Sequence, residues 1–147
     1  MSDEVVKAQR RALAQTKRIQ AQQNQNLLNE ANSQRRALEG KIERLQSAKK
    51  RVQKELQSLD NYSRSLSKLK KSGPSTFNGN RKDKYEKELS QCTNSLSELK
   101  IKHQHNEQKI QQKITQLQSE LTIVDAQISS VSSLINSLMV EANQLTQ

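Results

Sequence analysis

From Leu28 onward, the apolar residues of the first half of the chain recur at seven-residue steps. One column, Ala31, Leu38, Leu45, Val52, Leu59 and Leu66, is apolar throughout. Its companion, Leu28, Arg35, Ile42, Lys49, Leu56 and Ser63, alternates apolar with polar residues. Two such columns side by side form the seam of a coiled-coil helix. Upstream, Val6, Leu13 and Ile19 are sparse among Gln, Asn and basic residues. Residues 1–27 are therefore expected to be helical but weakly held.

The pattern breaks over residues 71–80, where Gly73-Pro74 and Asn78-Gly79 are strong turn signals. Asn80 and Asp83 suit a helix N-cap and first turn. A second helix then carries a continuous column: Leu89, Leu96, His103, Ile110, Leu117, Val124, Val131, Leu138 and Leu145. Its companion first lies three residues after each column member, or four before, as Tyr85, Cys92, Leu99 and Asn106. Later it lies four after, as Ile114, Leu121, Ile128, Ile135 and Ala142. The stripe is thus expected to shift sideways around residues 102–110, with His103 marking the change.

One turn between two arms of nearly equal length predicts an antiparallel return. The expected fold is all-α, a long two-helix coiled-coil hairpin forming a single domain over residues 1–147. Helix 1 covers about 3–70, the turn 71–80, and helix 2 about 81–145. Folding at residue 76 matches Leu66, Leu59, Leu56, Val52 and Leu45 with Leu89, Leu96, Leu99 and Ile110. The open end matches poorly. Residues 121–145 are the most apolar part of the chain, yet they face a Gln-, Asn- and Lys-rich segment. Leu121, Val124, Ile128, Val131, Leu134, Ile135, Leu138 and Met139 are the candidate partner-binding residues, either for a foreign helix or for a second copy.

Composition narrows the function classes. Hydrophobic residues make up 31% and aromatics 2%, well under the roughly 45–50% apolar content of a compact globular domain. With Cys92 the sole cysteine, no intrachain disulfide or cysteine-based zinc site can form. Cys92 reads as a small buried hydrophobe of the seam. His103 and His105, two apart, point to different sides of a helix and do not suit a metal site. No phosphate loop and no nucleophile–base pair is present, so neither enzyme activity nor a cofactor is expected. The N-terminus lacks the apolar core of a signal peptide, and no uninterrupted apolar run approaches a membrane span. The chain is expected to be made in, and at first soluble in, the bacterial cytoplasm, without membrane insertion.

The net charge of +10 belongs to the first half: residues 1–71 hold 17 Lys/Arg against 7 Asp/Glu, and residues 72–147 hold 8 of each. A basic coiled coil that binds nucleic acid is one rival reading, but no basic-region fork or aromatic stacking platform accompanies the charge. The other rival is a self-associating structural scaffold or spacer.

The layout resembles the YwqH-like small helical proteins found with LXG toxins of Gram-positive type VII secretion, elongated relatives of the WXG hairpins. Phe77-Asn78-Gly79 stands where those hairpins have Trp-x-Gly, and Tyr85 follows in the opening of the second helix. The segment Leu38–Lys49 is similar to the first helix of that group. Two departures stand out: Phe replaces Trp, and no C-terminal Tyr-x-x-x-Asp/Glu export signal is present, because no Tyr follows Tyr85. The resemblance implies a chaperone or targeting factor. It would bind the helical LXG domain of a toxin together with a second small helical protein, in a hetero-oligomer whose partner carries the export signal. It further implies that Phe77, Gly79 and Tyr85 at the turn contact the secretion machinery, such as its ATPase, although Phe77 could equally plug the top of the hairpin.

Overall fold

Ser2 opens the first helix. Its carbonyl accepts from the amides of Val5 (3.1 Å) and Val6 (3.2 Å), and its hydroxyl accepts a longer bond from Val5 (3.4 Å), the geometry of an N-cap. Asp3 and Glu4 then occupy the first turn, and Lys68, Lys70 and Lys71 the last. Both sets of charges complement the helix dipole. The computed structural model describes residues 2–71 and 79–147 and contains two helices, α1 (Asp3–Lys71) and α2 (Asn80–Leu145). The chain is an all-α helical hairpin, as its heptad pattern predicts.

Gly79 stands immediately before α2 with φ +64°, and its carbonyl accepts from the Asp83 amide at 3.1 Å. Gly79 therefore fills the cap position expected of Asn80. The left-handed φ is one that glycine adopts without the clash a Cβ would bring.

Contacts divide the chain into two compact units, each built from both helices. One comprises Met1–Ile42 with Gln116–Gln147, and the other Glu43–Thr115; below they are called the terminal and the central unit. In the terminal unit, Lys17 pairs with Glu141 at 2.6 Å and Arg35 with Asp125 at 3.0 Å. In the central unit, Lys49 donates to Gln111 at 2.7 Å, Gln53 to Glu107 at 3.2 Å, and Lys100 pairs with Asp60. The numbers of each pair sum to 158 or 160, where a fold at residue 76 would require 152. The facing register is thus displaced by six to eight residues from the one expected. In the observed register the charged residues find partners. The expected register would set Lys17 and Arg35 opposite Ile135 and Leu117, whereas the observed one gives each a carboxylate.

In this register residues 3–12 lie beyond the end of α2. The remainder of the N-terminal arm is packed, with Ala14, Ala21 and Ala31 all buried. The expectation of a weakly held segment over residues 1–27 therefore applies only to its first part. Ala21 and Ala14 fall one and two heptads before Leu28, so the seam begins well upstream of its first leucine. On α2 of the same unit Leu117, Val124, Leu138 and Ala142 are also buried.

The sideways shift of the stripe in α2 does not occur. The column Leu89–Leu145 is buried or half-buried at every position, and its companion lies four residues after each member from the start. In the central unit that companion is Thr93, Lys100 and Glu107, all half-buried, and then the buried Ile114. Cys92 and Leu99 fall outside the seam and are exposed, as is Asn106. One seven-residue stripe is kept along α2, and polar residues with long stems lie along it where apolar ones are lacking. Cys92 is therefore a flank residue rather than a buried hydrophobe.

Candidate functional site

The terminal unit positions the residues expected to bind a partner, and it separates them into three groups. Val124 and Leu138 are buried in the hairpin's own seam. Leu121, Ile128, Val131 and Ile135 belong to the same two seam columns and are half-buried. Leu134 (47% exposed) and Met139 remain in solvent, joined by Ile123 (60%) and Val140. The N-terminal arm covers more of α2 than its polar composition suggests, because alanines, lysine stems and asparagines suffice to cover one stripe.

Heptad spacing sets Leu134 on one flank of the seam, with Glu120, Gln127 and Glu141, and Met139 on the opposite flank, with Asp125 and Ser132. Ile123 lines a shallow groove with Ala37, Leu38 and Val124. The exposed apolar atoms therefore border the seam on both sides, as expected for an arm apolar on more than one face.

One 18-residue window of α2 reaches a mean hydropathy of 1.3 with no more than two charged residues, and 11% of it is buried. By length and composition it passes the test for a membrane-crossing helix. It is not a continuous apolar run, since serines lie among its apolar residues. Counting uninterrupted apolar residues missed it, because the serines of this region barely lower an averaged hydropathy.

In the central unit, Tyr62, Leu66, Cys92, Leu96 and Leu99 line a shallow groove on one flank of the helix pair, with Ser65, Glu88, Gln91 and Ser95. The opposite flank, between Asp60, Ser63 and Lys100 on one side and Arg64, Ser67, Lys68 and Lys71 on the other, is polar and basic. Heptad counting assigned Cys92 and Leu99 to the seam, so it did not show this groove. The exposed Tyr62 in helix 1 was the available signal.

His103 lies half-buried in the seam, its Nδ1 3.1 Å from the Leu99 carbonyl and its Nε2 2.7 Å from Glu55 Oε2. It links the two helices. Among the described residues, no three His, Cys, Asp or Glu side chains gather where one metal ion could bind them. Of the turn residues, Gly79 is exposed and Tyr85 half-buried; Phe77 lies outside the described residues.

Fold and flanks together define the class, a long all-α helical hairpin with apolar side chains displayed beside its seam. The chain belongs to the YwqH-like family, whose model matches residues 11–140. No curated protein matches it.

Proposed function

We propose that this YwqH-like protein is a non-enzymatic helical partner that binds the LXG-type helical domain of a secreted toxin. It acts with a second small helical protein as a chaperone and targeting factor for type VII secretion. One observation carries the reading: after α1 has covered the seam, Ile123, Leu134, Met139 and Val140 are still exposed on the C-terminal arm. Complete burial of such a side chain is worth about 1.5–3 kcal/mol, so an apolar helix laid along either flank would be bound with useful affinity. A protein helix suits the surface better than lipid. Asp125, Gln127 and Asn136 interrupt the same stretch, and polar groups in hydrocarbon need internal partners. The half-buried Leu121, Ile128, Val131 and Ile135 complete the contact. We assign export itself to the partner, with the chain starting in the bacterial cytoplasm and the turn with Gly79 and Tyr85 presented to the secretion ATPase.

The test is co-expression with a candidate LXG protein and a second small helical protein, followed by the solution mass of the purified assembly. Leu134→Gln with Met139→Gln is the informative variant. Both side chains are exposed, so helicity should be unchanged while the hetero-complex is lost. A complex that forms equally well with this variant would remove the arm from the interface. A stable homo-oligomer that ignores both neighbours would favour the self-associating scaffold.

A further inference from the structure

The flank of the central unit opposite the apolar groove is a polar cleft whose lining charges do not balance. Arg64, Lys68 and Lys71 reach it from α1 and Lys100 from α2, against the single carboxylate of Asp60, a net +3. Asp60 is already paired with Lys100. Arg64 and Lys71 are exposed and form no ion pair among the described residues. Ser63 and Ser67 complete the lining with hydroxyls, and among the described residues no apolar side chain joins them.

Arg64, Lys68 and Lys71 follow one another at four and three residues, so they stand on one face of α1, with neighbouring Cβ atoms about 5–6 Å apart. The carbonyl end of α1 accounts for basic residues in its last turn, where Lys70 serves as well. It does not account for Arg64, which precedes that turn, or for Lys100, which comes from the other helix. The four cations can only donate hydrogen bonds, and both serines can donate. The cleft is therefore built to receive acceptors.

We propose that this cleft binds a diphosphate group, free or at the end of a small phosphorylated molecule. Such a group carries several negative charges near neutral pH, which balances the lining. Its oxygens point in all directions, so donors from both helices can reach it at once. A carboxylate is planar and is met in its own plane. Arg64 presents the fork that grips two phosphate oxygens, and the lysines act as point charges. An amphipathic helix would find nothing apolar to bury here. The site is separate from the C-terminal arm and does not depend on what that arm binds.

The test is calorimetric titration of the full-length protein with sodium pyrophosphate at low salt, beside citrate as a carboxylate polyanion. The whole central unit is basic, with 17 Lys/Arg against 8 Asp/Glu over residues 43–115, so a variant must separate the cleft from the general field. Arg64→Gln with Lys71→Gln removes two cations of the cleft. Arg44→Gln with Arg51→Gln removes the same charge from the same unit, again seven residues apart, at exposed positions outside the cleft.

The expected result is saturable binding of pyrophosphate that weakens as salt is added, with citrate bound about tenfold more weakly. Arg64→Gln with Lys71→Gln should lower the pyrophosphate affinity by about tenfold or more, with helicity unchanged. Arg44→Gln with Arg51→Gln should lower it by less than about threefold. The proposal is overturned if pyrophosphate shows no saturable binding or if citrate binds as tightly. It is also overturned if the two double variants lose affinity equally, because a diffuse positive field would then be the cause. A short DNA duplex, or vesicles containing phosphatidic acid, binding through Arg64 and Lys71 where pyrophosphate does not would overturn it as well. The phosphates would then belong to a polymer or a lipid surface.

Discussion

The terminal and central units are made from the same two helices, yet they bury their seams differently. Of the eleven buried apolar residues among those described, Ala14, Ala21, Ala31, Ile42, Leu117, Val124, Leu138 and Ala142 belong to the terminal unit. Only Leu59, Leu89 and Ile114 belong to the central one. The central unit has the larger seam side chains on α1, with Leu45, Val52, Leu56 and Leu66 all half-buried. In the central unit the companion column of α2 is the polar set Thr93, Lys100 and Glu107, whereas in the terminal unit it is Leu121, Ile128, Ile135 and Ala142, so apolar side chains meet apolar ones along more of the terminal seam.

This contrast orders the expected effects of substitution. The largest is Leu117→Ala. Leu117 is 3% exposed, so its removal should leave a cavity and cost about 2–4 kcal/mol, measured by urea unfolding followed at the helical CD band. Leu96→Ala, at a half-buried place in the central seam, should cost clearly less. Equal costs would mean that the seam is uniformly packed and that the contrast drawn here is superficial.

Ala14→Leu comes next. Ala14 is 0% exposed, and a larger side chain there must push the helices apart, with an expected loss of about 1–3 kcal/mol. The same unfolding experiment decides. A stabilising Leu would show that the terminal seam has spare room and that small size is not what closes it.

The fold was legible in the sequence because a heptad repeat and one cluster of Gly, Pro and Asn leave few alternatives for a chain this polar. The register was not. Seven-residue columns determine which side of each helix faces inward, but they do not determine which heptad meets which. The pairs Lys17–Glu141 and Arg35–Asp125 report that choice, and the apolar columns alone do not contain it. The alanines were also hidden, since Ala14 and Ala21 read as ordinary helix formers until the seam is traced back to them. The candidate surface on the C-terminal arm was legible as a region. Its division into buried Val124 and Leu138 and exposed Leu134 and Met139 was not, because a spine residue and a flank residue differ by only three or four positions. Cys92 and Leu99 were assigned to the seam for the same reason. They are apolar, and the true companions Thr93, Lys100 and Glu107 are not.

That last point gives a smaller but sharper test. Thr93→Leu adds apolar surface at a half-buried seam position, at the expense of the hydrogen bond its hydroxyl donates to the Leu89 carbonyl at 2.8 Å. The expected net change is a stabilisation of about 0.5–1.5 kcal/mol. Cys92→Leu, one residue away on the exposed flank, should change the unfolding midpoint by less than about 0.5 kcal/mol. The opposite ranking would restore the sideways shift of the stripe.

The smallest effect expected is also the one that reports the register. Lys17 and Glu141 meet at 2.6 Å, with the lysine side chain 23% and the carboxylate side chain 50% exposed. A pair this accessible is screened by water and salt, so a double-mutant cycle through Lys17→Ala and Glu141→Ala should return a coupling of about 0.5 kcal/mol. Its value lies in direction rather than size. In the expected register, folded at residue 76, Lys17 would face Ile135 and the coupling to Glu141 should vanish. Exchanging the charges, Lys17→Glu with Glu141→Lys, should recover most of what either single reversal loses, and the recovery should shrink as salt is raised. Recovery at low salt establishes that these two residues face each other in solution. Without it, the alanines alone must set the alignment of the two helices.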